Sequence, residues 1–156
     1  MNNELFEPSL QNETHIPMES YNMGKLFYVA FFAGIVPLTV LSFNNAKKLK
    51  VDPKWVKIIM FLGVALLLAK AIFIGFYASG SINMEKRTVR WIFRIATVLL
   101  YLFFKYLMTP NYNKFILNGG GECQPILKDA LIWFCIGVGV EFSLLSLLVG
   151  LVMKLG

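Results

Sequence analysis

Apolar residues along this chain gather into four long runs separated by polar connections. Residues 55–77 read WVKIIMFLGVALLLAKAIFIGFY, and about 20 predominantly apolar residues are enough to cross the hydrocarbon core of a bilayer. The other runs cover about residues 26–43, 91–107 and 128–153. Backbone polar groups in lipid must be satisfied within the segment, which makes each of these runs a helix. The expected fold class is therefore all-α, a polytopic membrane protein with four transmembrane helices in a small bundle. Residues 1–24 form a polar, acidic tail with Glu4, Glu7, Glu13 and Glu19 and no lysine or arginine. Without a basic n-region, that tail does not read as a secretory signal.

Local signals refine the runs. Pro37 lies inside the first and has no N–H for the carbonyl of Ala33, which predicts a kink there. Ala30 and Gly34 are spaced as a small-residue pair for close helix packing. The third run is short, with Arg94 and Lys105 bracketing ten uncharged residues over about 16 Å of helix. Both are expected to act as membrane anchors, their long side chains reaching opposite headgroup layers. Thr109-Pro110-Asn111 then signals a turn, Gly119, Gly120 and Gly121 a flexible connection, and Pro125 the start of the last helix.

Composition agrees with this reading, since 57% of the residues are hydrophobic and 15% charged, against about 25% charged in an average soluble domain. A chain of 156 residues with four spans has no room for a separate soluble catalytic domain. The formal charge of +6 comes from 15 Lys and Arg against 9 Asp and Glu, and these charges flank the apolar runs. Such an arrangement orients spans and meets lipid headgroups, so no nucleic-acid partner is expected. Counting flanking basic residues with the termini outside places eight in the cytoplasm and six outside. The lysine-rich composition points to a bacterial plasma membrane. Cys123 and Cys135 fall in a loop and about 15 Å along the last helix, too far apart for a disulfide.

Candidate chemistry is sparse. With one histidine, no spaced Cys or His cluster and few acids near the spans, the sequence offers no catalytic set, no metal site and no cofactor motif. The chain does not read as an enzyme. Two intramembrane charges remain, Lys70 in the second run and Glu141 in the fourth. Spans two and four run in the same direction, and the two charges lie at similar depth once the lean of helical side chains is included. They form a candidate pair, with snorkelling of Lys70 to the headgroups as the alternative. Glu141 has no such escape and must be paired, hydrated or protonated.

Gly139, Ser143, Ser146 and Gly150 are spaced four, three and four apart, a seam of small residues suited to helix packing, and Glu141 points away from it. Protein on two faces of one helix is expected if the chain assembles with another copy or another membrane protein. The expected function is a non-catalytic membrane protein acting by association, such as an accessory subunit, assembly factor or immunity-type protein. The alternative is a small ion- or proton-coupled transporter or channel that uses Glu141 and Lys70.

Overall fold

Where the sequence places one kinked helix, the chain forms two. The computed structural model describes residues 20–117 and 123–155, with side chains except at 145, 148, 149 and 151–155. Five helical elements follow in order: α1 (Met23–Ala33), α2 (Ile35–Lys48), α3 (Pro53–Ala78), α4 (Lys86–Leu117) and α5 (Leu127–Leu155). The last turn of α1, Val29–Ala33, is wound as a π-helix. About 85% of the described residues are helical, and none lies in a strand.

The element at the centre is the short one. Helix α2 packs against α3, α4 and α5 and buries Ile35, Leu38, Leu41, Asn45 and Ala46 along its length. Phe104 and Met108 of α4, Ile59 of α3 and Leu26 of α1 close around it, none more than 1% exposed. Among the described residues, helices α4 and α5 pack on this centre rather than on each other. Where α2 meets α3 the approach is close: a Cβ built on Gly63 would lie 2.2 Å from both Cγ2 and Oγ1 of Thr39. Thr39 is itself fixed, its hydroxyl donating to the Ile35 carbonyl at 2.8 Å.

At the C-terminal end of α2 a polar cluster ties the chain together. Asn45 is fully buried, and its Oδ1 accepts from the Tyr21 N–H at 2.8 Å and the Ser20 hydroxyl at 3.0 Å. The Tyr21 hydroxyl donates to Asp129 of α5 at 2.5 Å. Lys48 donates to Gln124, whose N–H reaches the Ser20 carbonyl at 3.0 Å. Ser20, Tyr21 and Met23, assigned from sequence to the polar tail, are thus buried, at 1%, 4% and 5% exposure. Residues 1–19 of that tail, and Gly119, Gly120 and Gly121, lie outside the described residues.

Among the described residues, α3 and α4 qualify by length and composition to cross a membrane, two helices where the sequence reading has four spans. The first run is divided into pieces of 11 and 14 residues, each about half of what a crossing requires. The third run is longer than expected. Helix α4 begins at Lys86 and continues through Pro110 to Leu117, 32 residues in all. Thr109-Pro110-Asn111 is therefore helix rather than turn. Proline removes one backbone bond and normally ends or bends a helix, but tertiary contacts hold this one on both sides. Met108 and Phe115 are buried, and the Asn111 amide donates to the carbonyls of Leu49 and Lys50 at 3.2 Å each. Cys123 and Cys135 are both free thiols.

The α2–α3 contact gives a direct test. Gly63→Ala is expected to lower stability by about 1–3 kcal/mol through overpacking, read as thermal unfolding in mild detergent. Adding Thr39→Ala removes two of the three closest atoms and should recover part of the loss. An unchanged midpoint in Gly63→Ala would show that the helices separate freely there.

Candidate functional site

The break at Gly34 builds the site. Its N–H bonds to the Val29 carbonyl at 3.2 Å, closing the π turn, and its backbone then takes φ +93°, ψ −164°. That region is open essentially to glycine alone. The chain re-enters helix at Ile35, with the Leu38 N–H bonding back to the Gly34 carbonyl at 3.3 Å. Pro37 is the third residue of α2 rather than the middle of a kinked span. In a first turn its missing N–H costs nothing, because those donors have no partner within the helix anyway. Gly34 is accordingly a hinge residue, not half of a packing pair with Ala30. Its effect is to bring the N-terminal, positive end of a helix into the middle of the first apolar run.

Helix α5 lies against that end. A Cβ on Gly137 would stand 3.2 Å from Pro37 Cδ and from Val36 Cβ, so the bare glycine lets the two backbones approach. Glu141 follows one turn later on the same face. Its Oε1 is 4.0 Å from where a Cβ on Gly34 would sit, and its Oε2 lies 2.5 Å from Lys70 Nζ. The carboxylate thus has an ammonium from α3 on one oxygen and the positive end of α2 beside the other.

Charge-assisted bonds of this kind are short and about twice as strong as neutral ones. A favourable helix end adds typically about 0.3–1 kcal/mol. The pair is largely enclosed, with side-chain exposures of 21% for Lys70 and 29% for Glu141. Leu67, Ala71, Ile74 and Leu144 complete the surround, leaving a crevice of about 10 Å³, room for one water at most.

The structure brings Lys70 and Glu141 together and leaves the other singled-out residues elsewhere. Gly139, Ser143, Ser146 and Gly150 are exposed on α5, and a Cβ on Gly139 or Gly150 would meet nothing within 4 Å. The two serine hydroxyls bond back to the carbonyls one turn earlier, Ser143 to Gly139 at 2.9 Å and Ser146 to Phe142 at 3.0 Å. The seam is therefore narrow, polar-satisfied and unused by the rest of the described chain. Arg94 and Lys105 are exposed on α4, and neither lines the crevice at the pair. Arg94 lies over the rings of Phe31 and Trp91, 5.5 and 5.6 Å from their centroids.

No family model, curated protein or solved structure matches this chain. The site therefore rests on its own geometry. Two residues that build it, Gly34 and Gly137, escape a reading that looks for charges and motifs. A signal for the first was present: a glycine three residues ahead of a proline in an apolar run fits a chain break followed by a new helical turn. For the second the signal was the i, i+4 spacing of Gly137 and Glu141.

Lys70→Met is expected to lower stability by about 1–3 kcal/mol, because Glu141 loses its partner in an enclosed setting. Adding Glu141→Gln should return much of that loss, as removing both members of such a pair often does. A double-mutant cycle on thermal unfolding in detergent measures the coupling, and strictly additive losses would show that the two side chains act independently. Gly34→Ala tests the hinge separately. The strained φ should cost about 1–3 kcal/mol whether or not the pair is intact.

Proposed function

We propose that the chain is an integral membrane protein of four spans that acts by association with another transmembrane helix, without catalysis. In this reading α1 and α2 together make a discontinuous first span, and α3, α4 and α5 supply the others. The outward character of the helices supports it. Only 17% of the most apolar stretch of α3 is buried, with Phe61 72%, Ile72 53% and Phe76 56% exposed. The core helix of a soluble domain would be covered, whereas lipid accepts such a surface. The lysine-rich composition fits a bacterial plasma membrane as the setting.

The observation that carries the association reading is the unused seam on α5. Small residues at four- and three-residue spacing let helix backbones approach closely in lipid, where packing rather than hydrophobic exclusion drives contact. Here the seam turns away from the bundle, while Glu141, the charge in the apolar middle of that helix, turns into it and is paired. The polar centre then serves as a lock that fixes α5 so that its seam is presented rigidly. The partner is a second copy of the chain or another membrane protein.

A second reading has its own support. A helix interrupted mid-span, with its positive end beside an acid, is the arrangement that coupled transporters use for ions and anionic groups. In that case the Lys70–Glu141 pair is a switchable site and the association secondary.

One set of variants separates the two. In a Cys123→Ser, Cys135→Ser background, Ser143→Cys or Ser146→Cys should give a thiol cross-linked species in native membranes, and Val138→Cys on another face should not. Equal cross-linking at all three positions would sink the association reading. Reconstituted protein should leave a proton gradient across liposomes intact. A dissipation that Glu141→Gln abolishes would favour transport instead.

A further inference from the structure

All three arginines of the chain, against twelve lysines, fall in one stretch of α4. Arg87, Arg90 and Arg94 recur at spacings of three and four, which puts them on one face of the helix. With Trp91 they line a cleft of about 210 Å³, far larger than the crevice at the charge pair. Their placement is electrostatically unfavourable in two ways. Lys86, Arg87 and Arg90 occupy the first turns of a 32-residue helix with no acid in its first turn, where the helix end is itself positive. Arg90 and Arg94 are also like charges one turn apart, a destabilising pair.

Neutralising partners are absent among the described residues. The one ion pair found there is Lys70–Glu141, and Glu85, the acid just ahead of α4, forms none with the arginines. Three cations in the first turns of a helix, with a fourth one turn further on and no ion-pair partner for any of them among the described residues, call for an external anion. The residue choice says which kind. Guanidinium groups present flat forks of N–H donors that match phosphate oxygens two at a time, which ammonium groups do not. The groups that accompany the cleft add a second requirement. Trp91 is 46% exposed, and Ile95, Leu99 and Leu102 continue from it along the same face at 57%, 59% and 49% exposure. An anionic head with an apolar extension fits this surface, and a free phosphate fits only its upper part.

We propose that Arg87, Arg90 and Arg94 form a binding site for the phosphate of an anionic phospholipid, whose acyl chains lie along Ile95, Leu99 and Leu102. Arg94 is held in place for this by its stacking over Trp91 and Phe31. The site rests on the membrane reading but on neither the association nor the transport reading. It also gives the arginines a role beyond orienting the helix, a task lysine performs equally well.

The test uses the full chain purified in mild detergent and titrated with phosphatidylglycerol, phosphatidylcholine or inorganic phosphate, following thermal unfolding. Phosphatidylglycerol should raise the midpoint in a saturable manner, and the other two should not. Arg87→Gln, Arg90→Gln and Arg94→Gln combined should weaken the apparent affinity at least about tenfold, the effect of losing one charged hydrogen bond or more. An equal removal of charge at the exposed Lys50, Lys54 and Lys57 should leave it unchanged. Should the triple variant fail to fold, Arg90→Gln and Arg94→Gln singly carry the same comparison.

The proposal is overturned if phosphatidylcholine acts as well as phosphatidylglycerol, or if the lysine variant loses as much as the arginine variant. It is overturned equally if inorganic phosphate alone reproduces the shift, which would make the cleft a free-anion site. Extraction of the protein from membranes by alkaline carbonate would refute the membrane reading itself, a result distinct from loss of lipid selectivity.

Discussion

A carboxylate in the middle of an apolar helix must find compensation, and the contact that supplies it here organises everything around it. Placing an acid such as aspartate at the centre of a span costs about 2.5–3.5 kcal/mol on insertion scales, a penalty that Glu141 incurs if α5 crosses a bilayer. Three separate elements meet to offset it. Helix α3 contributes the Lys70 ammonium at 2.5 Å, α2 its positive end, and α5 itself the bare Gly137 that allows the approach. The backbone of Gly34, strained for any other residue, is what turns a continuous apolar run into a helix end at that depth. A break in the first apolar run and a charge in the last are thus two sides of one solution.

The same short helix is fixed at its other end by different means. Lys47 and Lys48 fall in the last turn of α2, where a helix end is negative and cations are favoured. Asn45 collects the incoming strap of Ser20 and Tyr21, and Tyr21 and Lys48 carry that order to the start of α5 through Asp129 and Gln124. Between the two polar ends α2 is buried among aliphatic and aromatic side chains, and at Gly63 the approach of α3 leaves no space for even a methyl group. Helix α2 is thus held at both ends and clamped between.

Outside this core the molecule presents two surfaces of different character. On α5 the small-residue seam has its hydroxyls satisfied within the helix and offers shape without charge, which suits another helix. On α4 the arginine cleft offers charge without an internal partner, which suits a headgroup. Among the described residues, the two lie on helices that do not pack on each other. On the proposed readings a lipid at α4 and a protein at α5 would be engaged at once, without opening the interior charge pair.

Sequence alone determined what depends on composition and one-dimensional spacing. The all-helical class, the positions of long apolar runs, the two internal charges and the seam on α5 all follow from residue type and period, because a helix presents residues at fixed angular steps. Local rules misjudged the chain where distant residues outvoted them. Pro110 stays within a helix since Asn111 and Phe115 are held by other elements, and Pro37 begins a helix since Gly34 had already ended one. That Ser20 and Tyr21 are buried was invisible for the same reason, their partners being 25 and 108 residues away. The meeting of Lys70 and Glu141 was legible as a matter of depth only. Whether they face each other depends on the rotation of two helices about their axes, and that is set by glycines at Gly34, Gly63 and Gly137. What those glycines contribute is the absence of a side chain, which has meaning only once the neighbouring helix is in place.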